Sequence, residues 1–406
     1  MLPNAGKTCC PTRGCCLPRE GGRAAFYHLS FQEFLAAGRL RRIGEKSEAI
    51  LQRYAATAAW HRTLRFLFCA LADKDSPEAA IDGFKSLLAH LQPAQLDQDP
   101  NPALLLADCP EVAHGRKWNL ELFAEPLRRA CHHALEHLNP PERAHVWRTL
   151  GRLGLDHRPG VGLRDGLSDI AWAEVPAGAF LYGDEKRKKT LPAFCIARYP
   201  VTNAQYQAFI HDAGYETDAW WKGLAERPGP VRGSWTDPNG PRETVSWYEA
   251  MAYARWLDAR FRARGLLPEG RAVRLPTEEE WEKVARGNDG REFPWGEVAS
   301  GRANINETWG EAGPHYLGQT SAVGLYPDGA SPCGALDMAG NVWEWCLNQY
   351  EKPERQDVKG DARRVVRGGS WFDYRDFARS AVRNDLTPGD RDNFLGLRLV
   401  CVAPIA

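Results

Sequence analysis

The sequence predicts an α+β protein in which a small all-helical domain precedes an irregular, loop-rich domain of helices and strands. Apolar residues recur at helical spacing from residue 48 to 150, between prolines that end the predicted helices. From about residue 169 glycine, tryptophan and proline become frequent, and short alternating segments typical of strands replace the helical pattern. With 406 residues, 43% of them hydrophobic and 26% charged, the chain is long enough to bury the core that two such domains need.

The composition divides the chain into four parts. Residues 1–22 are rich in Gly, Pro and Cys, so we expect a poorly ordered leader whose cysteines lack the spacing of a zinc site. Residues 23–157 form the predicted helical module. The Gly- and Pro-containing stretch 158–168 reads as a linker, and 169–406 is the loop-rich domain.

The loop-rich domain is predicted to open with strands and to continue with short capped helices. Residues 170–183 and 194–199 have the apolar alternation of strands. Each following helix starts at a polar residue whose side chain can accept a hydrogen bond from the first turn. These N-caps are Thr202 or Asn203, then Ser246, then Thr277, the last with Glu280 as its capping-box partner.

Charge and hydropathy exclude several classes of function. The formal net charge is zero, so no overall field favours nucleic acid or an anionic membrane. No apolar run reaches the roughly 18 residues of a membrane-spanning helix, and no signal peptide opens the chain, so a cytoplasmic location is expected. Arg is much commoner than Lys and there are only 3 Met, a composition that we interpret as thermophilic.

The loop-rich domain contains a series of motifs, which in order are YPVTNAQYQAF, VSWYEAMAYARW, RLPTEEEWEKVAR, FPWG, LDMAGNVWEW, RVVRGGSW, ARSAVR and GLRLV. Together they resemble the motifs of formylglycine-generating enzymes, also called sulfatase-modifying factors, a branch of the C-type lectin fold. The resemblance covers about residues 170–402 and implies a C-type-lectin-like fold. We interpret its tryptophans as packing residues and its arginines as pins for loops. These are Trp281, Trp295, Trp343, Trp345 and Trp371, with Arg379, Arg383, Arg391 and Arg398.

A shorter resemblance lies near the N-terminus. Residues 26–37, FYHLSFQEFLAA, resemble the segment that closes many NACHT-type signalling NTPases. Ser30 and Glu33 form a predicted capping box there. Residues 4–8, NAGKT, only partly match a phosphate-binding loop, because the first glycine is missing and no strand precedes them. The resemblance implies a NACHT-derived module with a signalling or assembly partner.

The family's oxidases use copper and paired cysteines that follow the Gly-Gly-Ser-Trp motif. Residues 372–377 stand there and contain no cysteine, while Cys346 and Cys401 lie elsewhere, so copper is not expected. A second branch, sulfoxide synthases of ergothioneine type, binds iron through histidines of a helical domain. His132, His133 and His137 do not match that pattern, so iron is not expected either. These absences predict that the chain is not an enzyme.

Calcium is the cofactor that the resemblance does imply. Family enzymes bind it in the loop before Trp-Glu-Trp, where Asp337, the carbonyls of Gly340 and Val342, and Glu344 match. The alternative is that both carboxylates make hydrogen bonds within the loop. A second family site matches only at Asn304 and Ile305.

A third branch of the family consists of the variable proteins of diversity-generating retroelements, in which adenine mutagenesis diversifies codons near the C-terminus. From residue 372 onward the chain lacks Lys, Glu, Gln, Met and Trp, the residues that mutated Asn codons cannot encode. Aromatic and acidic residues without helical or strand periodicity fill three gaps between framework residues. The first gap lies within residues 372–377, the second is 384–386 and the third lies within 390–394. The predicted variable surface is Phe372, Asp373, Tyr374, Asp376, Phe377, Asn384, Asp385, Leu386, Asp390, Asp392, Asn393 and Phe394.

The sequence therefore predicts a ligand-binding protein that displays a variable C-terminal recognition surface. Rigid aromatic rings would supply contact area and carboxylates would supply selectivity, so the expected ligand is a protein with basic or amide groups. One alternative is a metalloenzyme of formylglycine-generating or sulfoxide-synthase type with a different active site. Another is a structural adaptor that works through the helical module.

Overall fold

The structure is a computed structural model. It describes residues 16–19, 23–26, 36–37, 60, 63–64, 138–297, 300–309 and 312–403. The chain divides into two compact units, Met1–Leu138 and Asn139–Ala406. Within the described residues, no helix is both long and apolar enough to cross a bilayer.

The described part of the first unit contains one β-hairpin. Strand β1 (Cys16–Arg19) pairs in antiparallel fashion with β2 (Arg23–Phe26), with Cys16 opposite Phe26. The sequence analysis had assigned these residues to the leader and to the start of the helical module, and it predicted neither strand. Most of the NACHT-like segment and the His132, His133 and His137 set lie outside the described residues.

The second unit begins with a helix that the sequence analysis had placed in the helical module. Helix α1 (Pro140–Arg152) starts at Asn139, whose side chain and Glu142 form a capping box. The Arg158 guanidinium lies 4.0 Å from the Trp147 ring, and Asn239 Nδ2 donates to the Trp147 carbonyl at 2.7 Å. These contacts join α1 to the unit that starts at Asn139, so the unit extends beyond the predicted start at residue 169.

The remaining elements of the second unit alternate short strands with capped helices. The predicted linker contains the hairpin β3 (Leu163–Arg164) and β4 (Leu167–Ser168). The other strands are β5 (Trp172–Val175), β6 (Gly178–Tyr182), β7 (Arg187–Leu191), β8 (Phe194–Ala197), β9 (Ala272–Arg274), β10 (Trp343–Gln349), β11 (Arg364–Arg367), β12 (Arg383–Leu386), β13 (Leu395–Gly396) and β14 (Val400–Val402). The helices are α2 (Asn203–His211), α3 (Asp218–Trp221), α4 (Trp247–Ala263) and α5 (Glu278–Arg286).

The predicted helix starts are confirmed. Thr202, Ser246 and Thr277 are the N-caps of α2, α4 and α5, and each forms a capping box with the residue three positions later. The predicted strand over residues 170–183 is instead two strands, β5 and β6. The break between them lets β5 pair with β8 while β6 pairs with β7.

Two four-stranded sheets organise the unit. One has the order β5-β8-β14-β9, so the last strand of the described chain lies inside the sheet. The other has the order β12-β11-β10-β13, in which β13 runs parallel to β10 and the other pairs are antiparallel. Between β11 and β13 the chain contributes β12 to the second sheet, and the predicted variable residues lie on β12 and on the loops before and after it.

Aromatic side chains fill much of the core. Trp247, Trp256, Trp281 and Trp345 are among the largest fully buried side chains. Trp281 packs with Val284, Met338 and the apolar face of β14, while Trp247 and Trp345 belong to a neighbouring cluster with α4. The interpretation of the motif tryptophans as packing residues is confirmed at Trp281 and Trp345, because large rings supply buried area where regular structure is short.

Candidate functional site

A pair of glycines directs the chain out of β11 toward the candidate surface. Gly368 and Gly369 have φ of 101° and 72°, a region that favours glycine. A Cβ on Gly369 would lie 3.0 Å from the Phe377 carbonyl oxygen. A larger residue at Gly369 would therefore push away the segment that follows.

The first gap presents some side chains outward and anchors others. Phe372 is 50% exposed and Asp376 is also exposed. Tyr374 and Phe377 are half-buried, and their ring centroids lie 5.0 Å apart in an edge-to-face arrangement. Phe377 also lies 6.4 Å from the Trp343 ring, so the outer aromatic residues rest on the core.

Asp373 does not present its carboxylate to solvent as the sequence analysis expected. Its Oδ2 atom accepts hydrogen bonds from Trp343 Nε1 at 2.8 Å and from Ser370 Oγ at 2.5 Å. Burial raises the pKa of this carboxyl, and the two hydrogen bonds act in the opposite direction. Its backbone carbonyl accepts a hydrogen bond from Asn306 N at 2.8 Å. Asp373 therefore stabilises the loop from inside.

The second gap lies on the edge strand β12. Asn384 is exposed, while Asp385 is half-buried and forms an ion pair with Arg363. Leu386 packs against the core cluster that contains Trp247. Because β11 separates β12 from β10, this gap is set apart from the Trp343 contacts of the first gap.

The third gap, like the first, contacts Trp343 and Trp371. Trp371 Nε1 donates to the Asn393 carbonyl at 3.2 Å, and Trp343 N donates to the Phe394 carbonyl at 2.7 Å. Asp392 is exposed, and burial followed by the nearby Asp390 raises the pKa of its carboxyl. The structure thus brings the first and third gaps together.

Asp390, Asn393 and Phe394 are only half-exposed. The Asp390 carboxylate accepts a hydrogen bond from Thr387 N at 2.8 Å and closes a turn. Phe394 packs against the core. The side chains in the three gaps that are most open to a ligand are therefore Phe372, Asp376, Asn384 and Asp392.

Arginines hold the framework between the gaps, as the sequence analysis interpreted them. Arg383 Nε donates to Glu278 at 2.9 Å, and Arg391 Nε donates to Glu249 at 2.7 Å. Both carboxylates are fully buried. Each arginine therefore ties the segment to the first turn of a helix, α5 or α4.

Aromatic residues from other loops, which the sequence does not identify, also contact the C-terminal segment. Trp309 is 56% exposed, and its ring centroid lies 5.3 Å from that of Tyr374. Tyr316 is 39% exposed and stacks 6.3 Å from Trp371, while Trp235 meets Trp371 edge-to-face at 5.0 Å. Tryptophan in a polar loop was the available signal, but only the tertiary fold places these rings beside the C-terminal segment.

A cavity of about 10 Å³ lies between Trp295, Glu307 and Arg375, room for about one water molecule. Glu307 organises the loop there, accepting hydrogen bonds from Ser300 Oγ at 2.8 Å and Gly301 N at 2.5 Å. A larger cavity of about 540 Å³ lies elsewhere, beside the C-terminal end of α1.

The predicted calcium ligands do not form a donor set that fits the ion. Both oxygens of the fully buried Glu344 accept from Arg398, at 2.8 and 2.9 Å, and Trp281 Nε1 donates to one of them at 2.7 Å. Asp337 Oδ2 accepts from Gly324 N at 2.6 Å. A guanidinium against Glu344 repels a cation, so hydrogen bonding describes these carboxylates better than calcium binding, although their partners Arg398, Trp281 and Gly324 lie outside the loop itself.

Burial raises the pKa of Asp337 to about 6, while the Gly324 hydrogen bond and Arg398 oppose the shift. At the other candidate calcium position, Asn304 Oδ1 is buried without a hydrogen-bond partner. Within residues 138–297, 300–309 and 312–403, and the short N-terminal stretches that the structure describes, no group of three or more His, Cys, Asp or Glu could hold a metal ion.

The cysteines of the second unit lie away from the three gaps. Cys346 is fully buried in the core, and burial raises the pKa of its thiol far above the usual value. Cys195 and Cys401 lie on the adjacent strands β8 and β14. Cys333 is half-buried, and its Sγ atom lies 3.4 Å from Ser331 Oγ.

Similar proteins include two that are named as enzymes and one that is named as a variable protein. The chain is 35% identical over 246 residues to the hercynine oxygenase of Mycolicibacterium thermoresistibile, covering 52% of this chain and 51% of that protein. It is 31% identical over 289 residues to the formylglycine-generating enzyme of Thermomonospora curvata, covering 55% of this chain and 91% of that protein. Treponema denticola variable protein 1 superposes with a TM-score of 0.44 at 21% identity, covering 60% of this chain and 98% of that structure. The chain spans about half the length of the hercynine oxygenase.

The prediction that the chain is not an enzyme is wrong as a deduction from the family, because relatives at these identities are named as enzymes. It rested on the missing cysteines of residues 372–377. A missing thiol pair argues against one thiolate chemistry, and it leaves open other chemistries that the same fold can support.

The family itself follows from the extent of the match. Residues 171–403 match the sulfatase-modifying factor enzyme 1-like domain, which is more than half of the chain and contains both four-stranded sheets. The match begins after the first unit, so it gives no support to the NACHT-like interpretation of residues 26–37. The chain belongs to the sulfatase-modifying factor enzyme 1-like family.

Proposed function

We propose that this chain recognises a protein ligand through its C-terminal surface, and that residues 372–394 vary within the native population as in the variable proteins of diversity-generating retroelements. One observation carries the proposal. The exposed gap residues Phe372, Asp376, Asn384 and Asp392 alternate with residues whose side chains anchor the fold.

The anchors make the exposed positions replaceable. Trp371 is only 8% exposed, and Ala378 and Ser380 are fully buried. Arg383 and Arg391 reach buried carboxylates of two helices. Apart from the Phe372 ring, which lies edge-to-face 5.7 Å from Trp371, the side chains of the exposed gap residues take no part in these contacts, so new side chains there would leave the core intact.

The surroundings favour a macromolecular ligand. Trp309 and Tyr316 add exposed rings beside Tyr374 and Trp371. Clusters of exposed aromatic rings are typical of protein recognition sites. Exposed carboxylates of Asp376 and Asp392 favour a ligand with basic or amide groups.

Population sequencing of this gene tests the proposal, read codon by codon over Phe372–Phe394. We expect substitutions to concentrate at the four exposed gap residues while Trp371, Arg383 and Arg391 stay constant. The codons of Trp309 and Tyr316 are the matched control, because these residues contact the segment but lie outside it. An evenly low substitution rate across the segment and the control would refute diversification.

A second candidate function is catalysis, which the identity to hercynine oxygenase and formylglycine-generating enzyme favours. Its test is to incubate the full chain with hercynine, a cysteine thiol, ferrous iron and oxygen and to look by mass spectrometry for a sulfoxide that joins the two substrates, with water as the other product of oxygen reduction. The same reaction with a metal chelator is the control. Chelator-sensitive product would establish oxygenase activity, and its absence would leave the recognition proposal as the better account.

A further inference from the structure

A half-exposed cysteine and a buried cysteine lie opposite each other on neighbouring strands of the sheet that contains β14. In the antiparallel pair β8–β14, Cys401 lies directly opposite Cys195. Directly opposed residues point to the same face of a sheet. Their neighbours Ile196 and Val400 are fully buried on the other face, in the core cluster with Trp281. Both thiols therefore lie on the face opposite that core.

The register gives the spacing that a disulfide needs. Ala197 N donates to the Leu399 carbonyl at 2.8 Å, so Ala197 and Leu399 are a hydrogen-bonded pair. Cys195 lies two residues before Ala197, and Cys401 lies two residues after Leu399. Since pair types alternate along antiparallel strands, Cys195 and Cys401 are also a hydrogen-bonded pair. The Cα atoms of such pairs are about 5.5 Å apart. Disulfides span about 4.4 to 6.8 Å between Cα atoms.

We propose that Cys195 and Cys401 are an oxidation site that closes to a cross-strand disulfide when a peroxide or a low-molecular-weight disulfide is present. Oxidation of the two thiols forms one S–S bond and releases two protons and two electrons. Hydrogen peroxide takes these up to give two water molecules, or glutathione disulfide takes them up to give two molecules of glutathione.

Access and environment set the rate of this reaction. Cys195 is half-exposed, whereas Cys401 is 6% exposed. Burial raises the pKa of both thiols, and the adjacent Cys195 thiolate raises that of Cys401 further. The other charged groups that act on the pair are Arg271, Glu174, Asp258 and Arg262. Because the thiolate is the reacting form, oxidation should quicken as the pH rises from neutral toward alkaline values.

The bond would lock the end of the fold. Strand β14 lies between β8 and β9 and follows Arg398. A disulfide between β14 and β8 would hold in the sheet the strand that follows residues 372–394. The oxidised protein should therefore have a higher unfolding temperature than the reduced protein. This inference does not depend on the proposed function.

Trypsin provides a direct test on the full chain, because its cleavage sites isolate each cysteine. Cys195 falls in the peptide 190–198, TLPAFCIAR, and Cys401 falls in 399–406, LVCVAPIA. Reduced protein is treated with glutathione disulfide or hydrogen peroxide, remaining thiols are alkylated, and the digest is read by mass spectrometry. We expect the two peptides joined, with the mass of their sum less two hydrogen atoms, and separated again by a reductant.

Variants and a thermal scan complete the test. C195S and C401S should abolish the joined peptide and the oxidant-dependent rise in unfolding temperature, whereas C333S should keep both. Recovery of both peptides in alkylated form after oxidation would overturn the proposal. So would Cys195 joined to a different cysteine or to glutathione in place of Cys401.

Discussion

The carboxylate of Asp373 lies in the middle of the first gap and points inward to Trp343 Nε1 and Ser370 Oγ. We predict that Asp373→Ala lowers the free energy of unfolding by about 1–3 kcal/mol, because two buried donors lose their acceptor. Asp376→Ala is the matched control in the same gap and should change stability by less than about 0.5 kcal/mol.

Urea unfolding of the two variants and the parent chain measures both values. Equal losses from Asp373→Ala and Asp376→Ala would contradict the inward placement of Asp373. Such a result would indicate that the Asp373 side chain is exposed, as the sequence alone predicts.

Asp337 makes a prediction about pH. Burial raises the pKa of its carboxyl from 3.8 to about 6 in the folded protein. The folded state then holds the proton more tightly than the unfolded state. Between pH of about 4 and 6 the unfolded state ionises first, so stability falls as the pH rises, by about 3 kcal/mol in all.

Asp337→Asn keeps an oxygen for the Gly324 N–H and removes the titration. The free energy of unfolding of the parent chain relative to this variant should therefore decrease from pH 4 to pH 6 and stay level above pH 6. Chemical denaturation at a series of pH values gives this difference, in which the other titrations cancel. Parallel curves for the two proteins would show that Asp337 is not buried as a raised-pKa carboxyl.

At the scale of elements, capping boxes hold the helices that carry the anchoring carboxylates. In α5, Glu280 N donates to Thr277 Oγ1 at 3.2 Å, and Thr277 N donates to Glu280 at 2.8 Å. We predict that Thr277→Ala costs about 1–2 kcal/mol of stability. Thr217 is the N-cap of α3 but makes no side-chain cap bond, so Thr217→Ala should cost less.

Thermal and urea unfolding of both threonine variants measure these two losses of stability. Comparable costs at the two positions would mean that the capping box of α5 contributes little beyond the loss of a hydroxyl. Since Glu278 lies in the first turn of α5 and binds Arg383, the same variant also tests how firmly the C-terminal segment is tied to this helix.

The helices could be predicted from sequence because their signals are local. Thr202, Ser246 and Thr277 each precede an apolar stripe, and a cap needs only three neighbouring residues. Strands β12 and β13 carry no such signal. They are short, and their pairing with β11 and β10 depends on residues far away in the chain.

Some features of the candidate site could likewise be predicted from the sequence, and others could not. The exposure of Phe372, Asp376 and Asn384 agrees with the sequence pattern of gaps between framework residues. The inward turn of Asp373 and the position of Trp309 do not follow from any local pattern, because Trp343 and Tyr374 set them through tertiary contacts. Glu344 likewise matches a calcium motif in the sequence, and only the tertiary structure shows its ion pair with Arg398.

At the scale of the whole molecule, Arg398 joins the two four-stranded sheets. Its guanidinium pairs with Glu344 of β10 at 2.8 Å in a site where both side chains are fully buried. It also donates to the carbonyls of Ala197 and Arg198, at the end of β8, at 2.9 Å and to the Leu336 carbonyl at 2.7 Å. One side chain thus satisfies buried acceptors from both sheets and from the loop before β10.

We predict that Arg398→Met lowers the free energy of unfolding by about 3–5 kcal/mol, because it leaves the Glu344 carboxylate buried without its counter-ion. The matched control is Arg264→Met at an exposed arginine, which should change stability by less than about 0.5 kcal/mol. The double variant Arg398→Met/Glu344→Gln should recover part of the loss, since the uncompensated charge is gone.

Urea unfolding of the parent chain, Arg398→Met, Glu344→Gln and the double variant forms a mutant cycle for the Arg398–Glu344 pair, with Arg264→Met as the control. If the double variant is no more stable than Arg398→Met, the cost comes from the carbonyls of Ala197, Arg198 and Leu336 and not from the charge. If Arg398→Met is as mild as Arg264→Met, the sheets do not depend on this arginine. The expected result, a large loss partly restored by neutralising Glu344, would establish the buried ion pair as the link between the two sheets.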